Sequence, residues 1–541
     1  MSAADPSTEV EMKEWARPSA MAAASAVLIF LSLPPAGLWW LAPLALAPWY
    51  LALRRVALRR GAGAAVLGGA LVSYLGGFLV IALSCYWLGM VSVAGLLMAA
   101  FIGGLYYAAW GAATVSLLRW ARGPAWLGAA SLWCLTEYLR SRLGWLAFPW
   151  ALLPHALYER PALVQAASLW GVWGYSWLLS AVPFALVDAA LHLRLRRRLR
   201  AALAPAAPIA AVAFVLVFGA LATDVGDAGP TVTLGLVQGN VPQEAKEEAI
   251  AEARSYTTHG RSKVERVMDE HLALSERLLA GGPVDLLIWP ETMVPGSMMQ
   301  QPERFRRMVE FVERRRTPVL LGSERHCDGR FYNSAYLIGA DGRVLETYDK
   351  MTLVPVGEYI PAQRVLALLA LITSKLMPYE TLDLSPGSRM TIFEVSGFRF
   401  YAPICFELSF DDQVREAARA GAQVIVNISN DAWFKDSAEL DLAVAQAVFR
   451  AVETRTPVVR VVNAGITCVV DAGGRITYLE RRGRRKQVAG TLRAEVRPAR
   501  PERRTLHLLA GSWAPVAAVV VALLLLAPGL RKRLKRNAEE A

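Results

Sequence analysis

The chain has 541 residues, 55% of them hydrophobic and 19% charged, with a mean hydropathy of +0.33. Soluble globular proteins carry about a quarter charged residues, so this composition excludes a disordered chain, a fibrous repeat and an ordinary cytosolic enzyme. The formal net charge of +12 admits nucleic-acid binding, anionic lipid contact or the cytoplasmic loops of a membrane protein, and its distribution along the chain decides among them.

Residues 1–18 form a tail holding Asp5, Glu9, Glu11 and Glu14. This is unlike the basic start of a cleaved signal peptide, so the first apolar stretch reads as a retained anchor. From 19 to 222 apolar stretches follow one another, each near the roughly 20 residues needed to cross a bilayer. They run 19–34, 37–53, 62–84, 90–118, 124–140, 165–190 and 203–222, and an eighth lies at 507–529. Basic clusters follow the even-numbered spans: Arg54, Arg55, Arg59 and Arg60; Arg119 and Arg122; Arg194 to Arg200; and Arg531 to Arg536 in the tail 530–541. By the positive-inside rule both termini are then expected in the cytoplasm. Residues 223–506 are expected outside, in the periplasm of a Gram-negative cell. That outer segment holds 37 basic and 37 acidic residues, so the excess charge is a topology signal and no nucleic-acid partner is expected. Glu137 and Asp188 are the main acidic residues near span ends, with Glu137 expected at the interface or against Arg140.

The outer segment reads differently. Apolar strand-like runs at 231–237, 284–289, 318–321, 398–404 and 424–429 alternate with helix-like stretches at 262–280, 302–315, 411–420 and 440–454. This pattern predicts an α/β layered domain with a buried sheet. The apolar insertion 365–376 has no strand partners. It reads either as a core helix or as an interfacial helix or lid that dips into the bilayer. Arg481, Arg482, Arg484, Arg485 and Lys486 are expected to tip a solvated hairpin, with contact to anionic headgroups as the alternative.

Five cysteines, Cys85, Cys134, Cys327, Cys405 and Cys468, are an odd number without C-x-x-C spacing, so one thiol at least is free and no zinc pattern appears. Cys405 ends a strand-like run, where a thiol projects into a cleft at a sheet edge. Glu291 follows Leu286–Trp289 and Pro290, and Lys350 follows Tyr348-Asp349. Singly, each has a bland explanation: a turn carboxylate, a solvated lysine, a core thiol. Together they make chemical sense. Glu291 accepts the thiol proton, while Lys350 and a backbone N–H after Cys405 stabilise a tetrahedral oxyanion. The six histidines have no thiol-protease context.

Trp289-Pro290-Glu291-Thr292, Tyr348-Asp349-Lys350 with Leu353–Pro361, and Ile404-Cys405-Phe406-Glu407 resemble the three catalytic blocks of the nitrilase superfamily, in the same order. Asn427–Phe434 is similar to the segment that follows the nucleophile strand there. With its many N-terminal spans and one C-terminal span, the chain resembles more narrowly the apolipoprotein N-acyltransferase family. Val237–Asn240 and Phe148-Pro149-Trp150 extend the likeness over nearly the whole chain. The resemblance implies an α-helical polytopic membrane domain of eight spans with a nitrilase-like α-β-β-α sandwich.

It further implies that Cys405 is acylated by a phospholipid, Glu291 is the general base, and Lys350 supports the intermediate. Glu358 and Glu407 are implied to be needed beside them. The family commonly has Tyr where this chain has Phe406, Trp where it has Glu247, and a His upstream of Arg450 that is missing here. The implied partners are a phospholipid acyl donor (phosphatidylethanolamine), a diacylglyceryl-apolipoprotein acceptor and membrane lipid. The chain is expected to be a monomer with no metal or organic cofactor. The rival readings are a membrane-tethered amidase or nitrilase hydrolysing a small amide, and a transporter or scaffold. The latter commonly needs intramembrane charge, which these spans largely lack.

Overall fold

A computed structural model describes residues 6–121, 123–222, 230–255, 263–359, 384–500, 502 and 504–540. The insertion 365–376 lies outside the described residues. The chain divides into two compact units, one of residues 1–89, 93–221 and 512–541, the other of 90–92 and 222–511.

The first unit is helical. Among the described residues five helices are long and apolar enough to cross a membrane: Trp15–Ser32, Ala62–Ser84, Val93–Trp120, Ala167–Arg194 and Arg198–Ala222. Three expected spans differ. Over 37–53 the chain forms a short 3-10 turn, Trp39–Leu41, and then the helix Ala47–Ala57, about 16 Å long at 1.5 Å per residue. Gly37 with a positive φ and Pro43 interrupt what hydropathy alone reads as continuous. Ala125–Arg140 has 16 residues, about 24 Å. The C-terminal helix Trp513–Glu540 is apolar only over Trp513–Ala527.

Helices 62–84 and 93–120 approach closely where Gly111 meets Gly69 and Ser73, a Cβ on Gly111 falling 2.3 Å from the Gly69 carbonyl oxygen, and glycines also make room for aromatic rings. A Cβ on Gly77 would lie 2.3 Å from the Tyr107 ring, and one on Gly76 would lie 2.5 Å from Trp49. Large apolar side chains such as Leu67, Leu71, Leu97 and Phe101 instead point outward, as lipid-facing residues do. Asp188 is buried and paired with Arg54 at 2.5 Å and with the Tyr50 hydroxyl at 3.1 Å. Glu137 accepts the Leu153 N–H at 3.3 Å instead of pairing with Arg140. Arg140 donates to the carbonyls of Phe148 and Trp150 at 2.6 and 2.9 Å, pinning the Phe-Pro-Trp loop.

The second unit is a two-sheet sandwich. Its strands are β1 (Val232–Gln238), β2 (Leu286–Ile288), β3 (Val294–Ser297), β4 (Val319–Cys327), β5 (Arg330–Ile338), β6 (Val344–Asp349), β7 (Ile392–Val395), β8 (Phe398–Tyr401), β9 (Val424–Asn430), β10 (Val458–Asn463), β11 (Cys468–Val470), β12 (Ile476–Tyr478) and β13 (Gly490–Val496). One sheet runs β13-β1-β2-β4-β5-β6 with β3 beside β4, the other β12-β11-β10-β9-β8-β7. The central strands β1, β2 and β4 are parallel, as are β8, β9 and β10. Their continuous apolar sequences follow from burial on both faces.

Helices Lys263–Ala280 and Pro302–Arg315 cover the first sheet, packing Met268, Leu278, Met308 and Phe311 onto Leu287, Trp289 and Leu321. Helix Ala438–Thr454 packs on β10 and β11, with Asp411–Arg419 beside it. The result is the α-β-β-α layering expected. Arg481, Arg482 and Arg484 are exposed beyond β12, whereas Arg485 and Lys486 turn back to Asp441 at 3.0 and 2.7 Å.

Candidate active site

The two sheets bring Glu291, Lys350 and Cys405 to one site from three strand ends. Glu291 comes three residues after β2, and the next residue, Thr292, has φ +53°. This turn lies so close to β4 that a Cβ on Gly322 would sit 2.4 Å from the Thr292 nitrogen and 2.7 Å from the Glu291 Cα. Only glycine permits that approach. The Glu291 carboxylate accepts the Asn333 amide at 2.6 Å on one oxygen and the Asn430 N–H at 2.8 Å on the other. Both donors are fixed by strands, so the carboxylate has one orientation.

Lys350, 1% exposed, directly follows β6. Its Nζ lies 2.7 Å from Glu358 Oε1 and 3.7 Å from Glu291 Oε1. Burial disfavours the ammonium, but the negative charges of Glu358, Cys405 and Glu291 outweigh it and hold the pKa above the usual lysine range. The second Glu358 oxygen accepts the Val354 N–H at 2.8 Å, and Asn333 reaches the first at 3.3 Å. Asn333 therefore ties the two glutamates together.

Cys405 opens the 3-10 turn Cys405–Ser409 with φ +52°, a left-handed conformation that strains a residue bearing a Cβ. Ile404 bridges Ile428 of β9, and Asn427 donates to the carbonyls of Pro403 and Cys405 at 2.9 and 3.2 Å. The strained Cys405 is thus clamped by β9. The residue is partly exposed, yet burial chiefly, with the nearby charges of Glu291 and Asp431, pushes its thiol up to about 12; Lys350 and a hydrogen bond from Ser429 oppose this. A thiol that stays protonated at neutral pH requires a base at the moment of attack.

Glu407 is fully buried and accepts four hydrogen bonds. They come from the Tyr348 hydroxyl at 2.8 Å, the Met351 and Thr352 N–H groups at 2.7 and 2.9 Å, and the Ile404 N–H at 2.8 Å. It joins the chain just after Lys350 to the chain just before Cys405. Phe406 is buried edge-on to Phe410, with ring centroids 5.0 Å apart.

Sequence reasoning assigned no role to Asn333, Asn427, Ser429, Asp431, Arg460 or Lys246. Ser429 lies 2.7 Å from Asp431, which pairs with the buried Arg460 at 2.7 Å. Lys246 donates to the Glu291 carbonyl at 3.2 Å. The likeness around 427–434 was the only signal for any of them. Glu247, by contrast, is half-buried and bonded to Gln243 at 3.0 Å. Among the described residues no group of three His, Cys, Asp or Glu could hold a metal ion.

His271 is a core histidine. Its Nδ1–H donates to Val267 O at 2.8 Å, and its ring packs against Trp289. Burial pushes its pKa down to about 4. The unfolded chain titrates near about 6.5, so the contribution of His271 is complete above that pH. It is lost as pH falls through about 4, amounting to about 3 kcal/mol. We expect the thermal unfolding midpoint to fall over this window and His271→Phe to flatten part of the fall.

Residues 234–500 match the carbon-nitrogen hydrolase family, and residues 25–185 match the apolipoprotein N-acyltransferase N-terminal domain. The chain is 32% identical over 476 residues to the apolipoprotein N-acyltransferase of Geobacter metallireducens, covering 84% of this chain and 85% of that one. It is 30% identical over 507 residues to that of Rhodopseudomonas palustris, covering 88% and 87%. The chain belongs to the apolipoprotein N-acyltransferase family.

In this apolipoprotein N-acyltransferase family member both matched domains follow in the order the sequence predicts, and the apolar helices make it a membrane protein. Residues 25–185 match a domain of this family, so the amidase reading is less favoured. Among solved structures an amidase from Nesterenkonia sp. is similar at 18% identity, covering 53% of this chain and 97% of that one, with a TM-score of 0.35.

Proposed function

We propose that the protein N-acylates lipoproteins by two acyl transfers through Cys405. The observation that carries this reading is a strained cysteine with a carboxylate of fixed orientation and a buried lysine acting on it, in a chain of this family. Glu291 takes the Sγ proton, and sulfur attacks the ester carbonyl of a phospholipid, phosphatidylethanolamine being the donor. The tetrahedral oxyanion is stabilised by Lys350. The C–O bond breaks, Glu291–H protonates the departing lysophospholipid oxygen, and a thioester remains. The α-amine of a diacylglyceryl-cysteine then attacks the thioester carbon and gives a proton to Glu291. The C–S bond breaks, and the proton returns to sulfur. Two bulky lipids thereby use one site in turn.

The arginine clusters support an orientation in the bacterial inner membrane with both termini cytoplasmic and the catalytic unit periplasmic. Reconstituted protein given acyl-labelled phosphatidylethanolamine and a diacylglyceryl-cysteine peptide tests the reading. It expects label in an amide on the peptide. Label released only as free fatty acid, with small-amide turnover, would instead establish a hydrolase.

A further inference from the structure

The chemistry above leaves the buried ammonium of Lys246 without a role. Lys246 lies in the first turn of the helix Gln243–Ser255 and is 3% exposed. The only hydrogen bond of its ammonium among the described residues is to the main-chain carbonyl of Glu291, and no carboxylate there lies within ion-pair distance of it. The titratable and charged groups that face it are Glu291, Cys405, Glu324, Lys350 and His271, with Glu247 next to it on its own helix. Glu291 and Glu324 are buried, the Glu358 side chain is 17% exposed, and the negative groups that face the thiol are Glu291 and Asp431. Lys350 is committed to Glu358 at 2.7 Å and stands 3.7 Å from Glu291. Arg460, which also faces Cys405, is committed to Asp431 at 2.7 Å, so Lys350 alone would have to offset both Glu291 and an ionised thiol.

We infer that Lys246 joins Lys350 as a working cation of the site, a positioning residue that fixes the Glu291 main chain and supplies the charge that lets the Glu291–Cys405 pair hold a single proton. The inference rests on that pair being the reacting pair. Burial pushes Lys246 down to about 8 against the pull of Glu291, Cys405 and Glu324, so the ammonium is charged at neutral pH. Removing a cation beside two anionic groups moves every ionisation of the pair to higher pH.

The test is the pH profile of iodoacetamide alkylation of Cys405 in the purified full-length protein in detergent, read on the Cys405 peptide by mass spectrometry. Lys246→Met is expected to displace the acid limb upward by about one unit, slowing alkylation about tenfold at a fixed pH on that limb. Lys246→Arg keeps the charge and is expected to restore the profile. Lys246→Gln serves in place of Met if Met impairs folding. A Met or Gln profile that superimposes on the unsubstituted protein overturns the inference. So does a folded Arg variant displaced as far as Met, because charge would then not be the agent. The measurement needs no phospholipid, so failure of acyl transfer in the labelled-lipid assay and failure here are separate results.

Discussion

Glu291→Gln is expected to slow acylation of Cys405 by about 10²–10⁴-fold at neutral pH, the usual contribution of a positioned general base. The size of the effect follows from the thiol. Burial and neighbouring charge hold it protonated, with a pKa near 12, so almost no thiolate forms without a base. Glutamine keeps the shape but accepts no proton. It also leaves one of the two donors, Asn333 or the Asn430 N–H, facing an amide NH₂, at a cost of about 1–3 kcal/mol. Residual acylation in the variant should climb with pH, because solvent must then supply the thiolate. Single-turnover acylation measured across the pH range checks both expectations, and a variant within threefold of the unsubstituted rate would remove Glu291 from the chemistry.

Glu407→Ala is expected to cost about 3–5 kcal/mol of stability and to abolish activity with all three reacting groups still present. The carboxylate accepts from Tyr348, Met351, Thr352 and Ile404 at once. Without it the half-buried N–H groups of Met351 and Thr352 and the buried one of Ile404 lose this partner, and the chain segments carrying Lys350 and Cys405 lose their shared anchor. Glu407→Gln keeps part of the network and should cost about 1–3 kcal/mol. Thermal unfolding in detergent separates the two variants, and equal midpoints for Ala and the unsubstituted protein would contradict this role.

The three groups proposed to react were legible because each sits in a short block at a strand end: Glu291 after Trp-Pro, Lys350 after Tyr-Asp, Cys405 before Phe-Glu. The helices of the second unit were legible from apolar period, ending within a residue or two of expectation at 302–315 and 411–419. The strands β4 to β6 were read only at Pro318–Leu321, although β4 and β5 continue through Asp328-Gly329, both with positive φ, in the turn that a tight hairpin requires. Their polar residues, such as Ser323, Glu324, Asn333 and Ser334, mask an alternation that serves the site and not the core. Asn333 and Lys246 were invisible for a different reason. Each acts across about 40 residues or more of sequence on Glu291, and no local pattern records a contact of that kind. The spans were overread at 37–53, where hydropathy cannot see that Gly37 and Pro43 break the helix.

The central claim is that Cys405 carries the acyl group between two lipids. Its most direct test is the mass of the Cys405 peptide from protein purified out of bacterial membranes, or incubated with phosphatidylethanolamine and no acceptor. A fatty-acyl thioester on Cys405 that disappears on adding a diacylglyceryl-cysteine peptide, and is absent from Cys405→Ala, is the predicted result. Triacylated peptide formed by Cys405→Ala, or by a protein whose Cys405 never acquires the adduct, would contradict it.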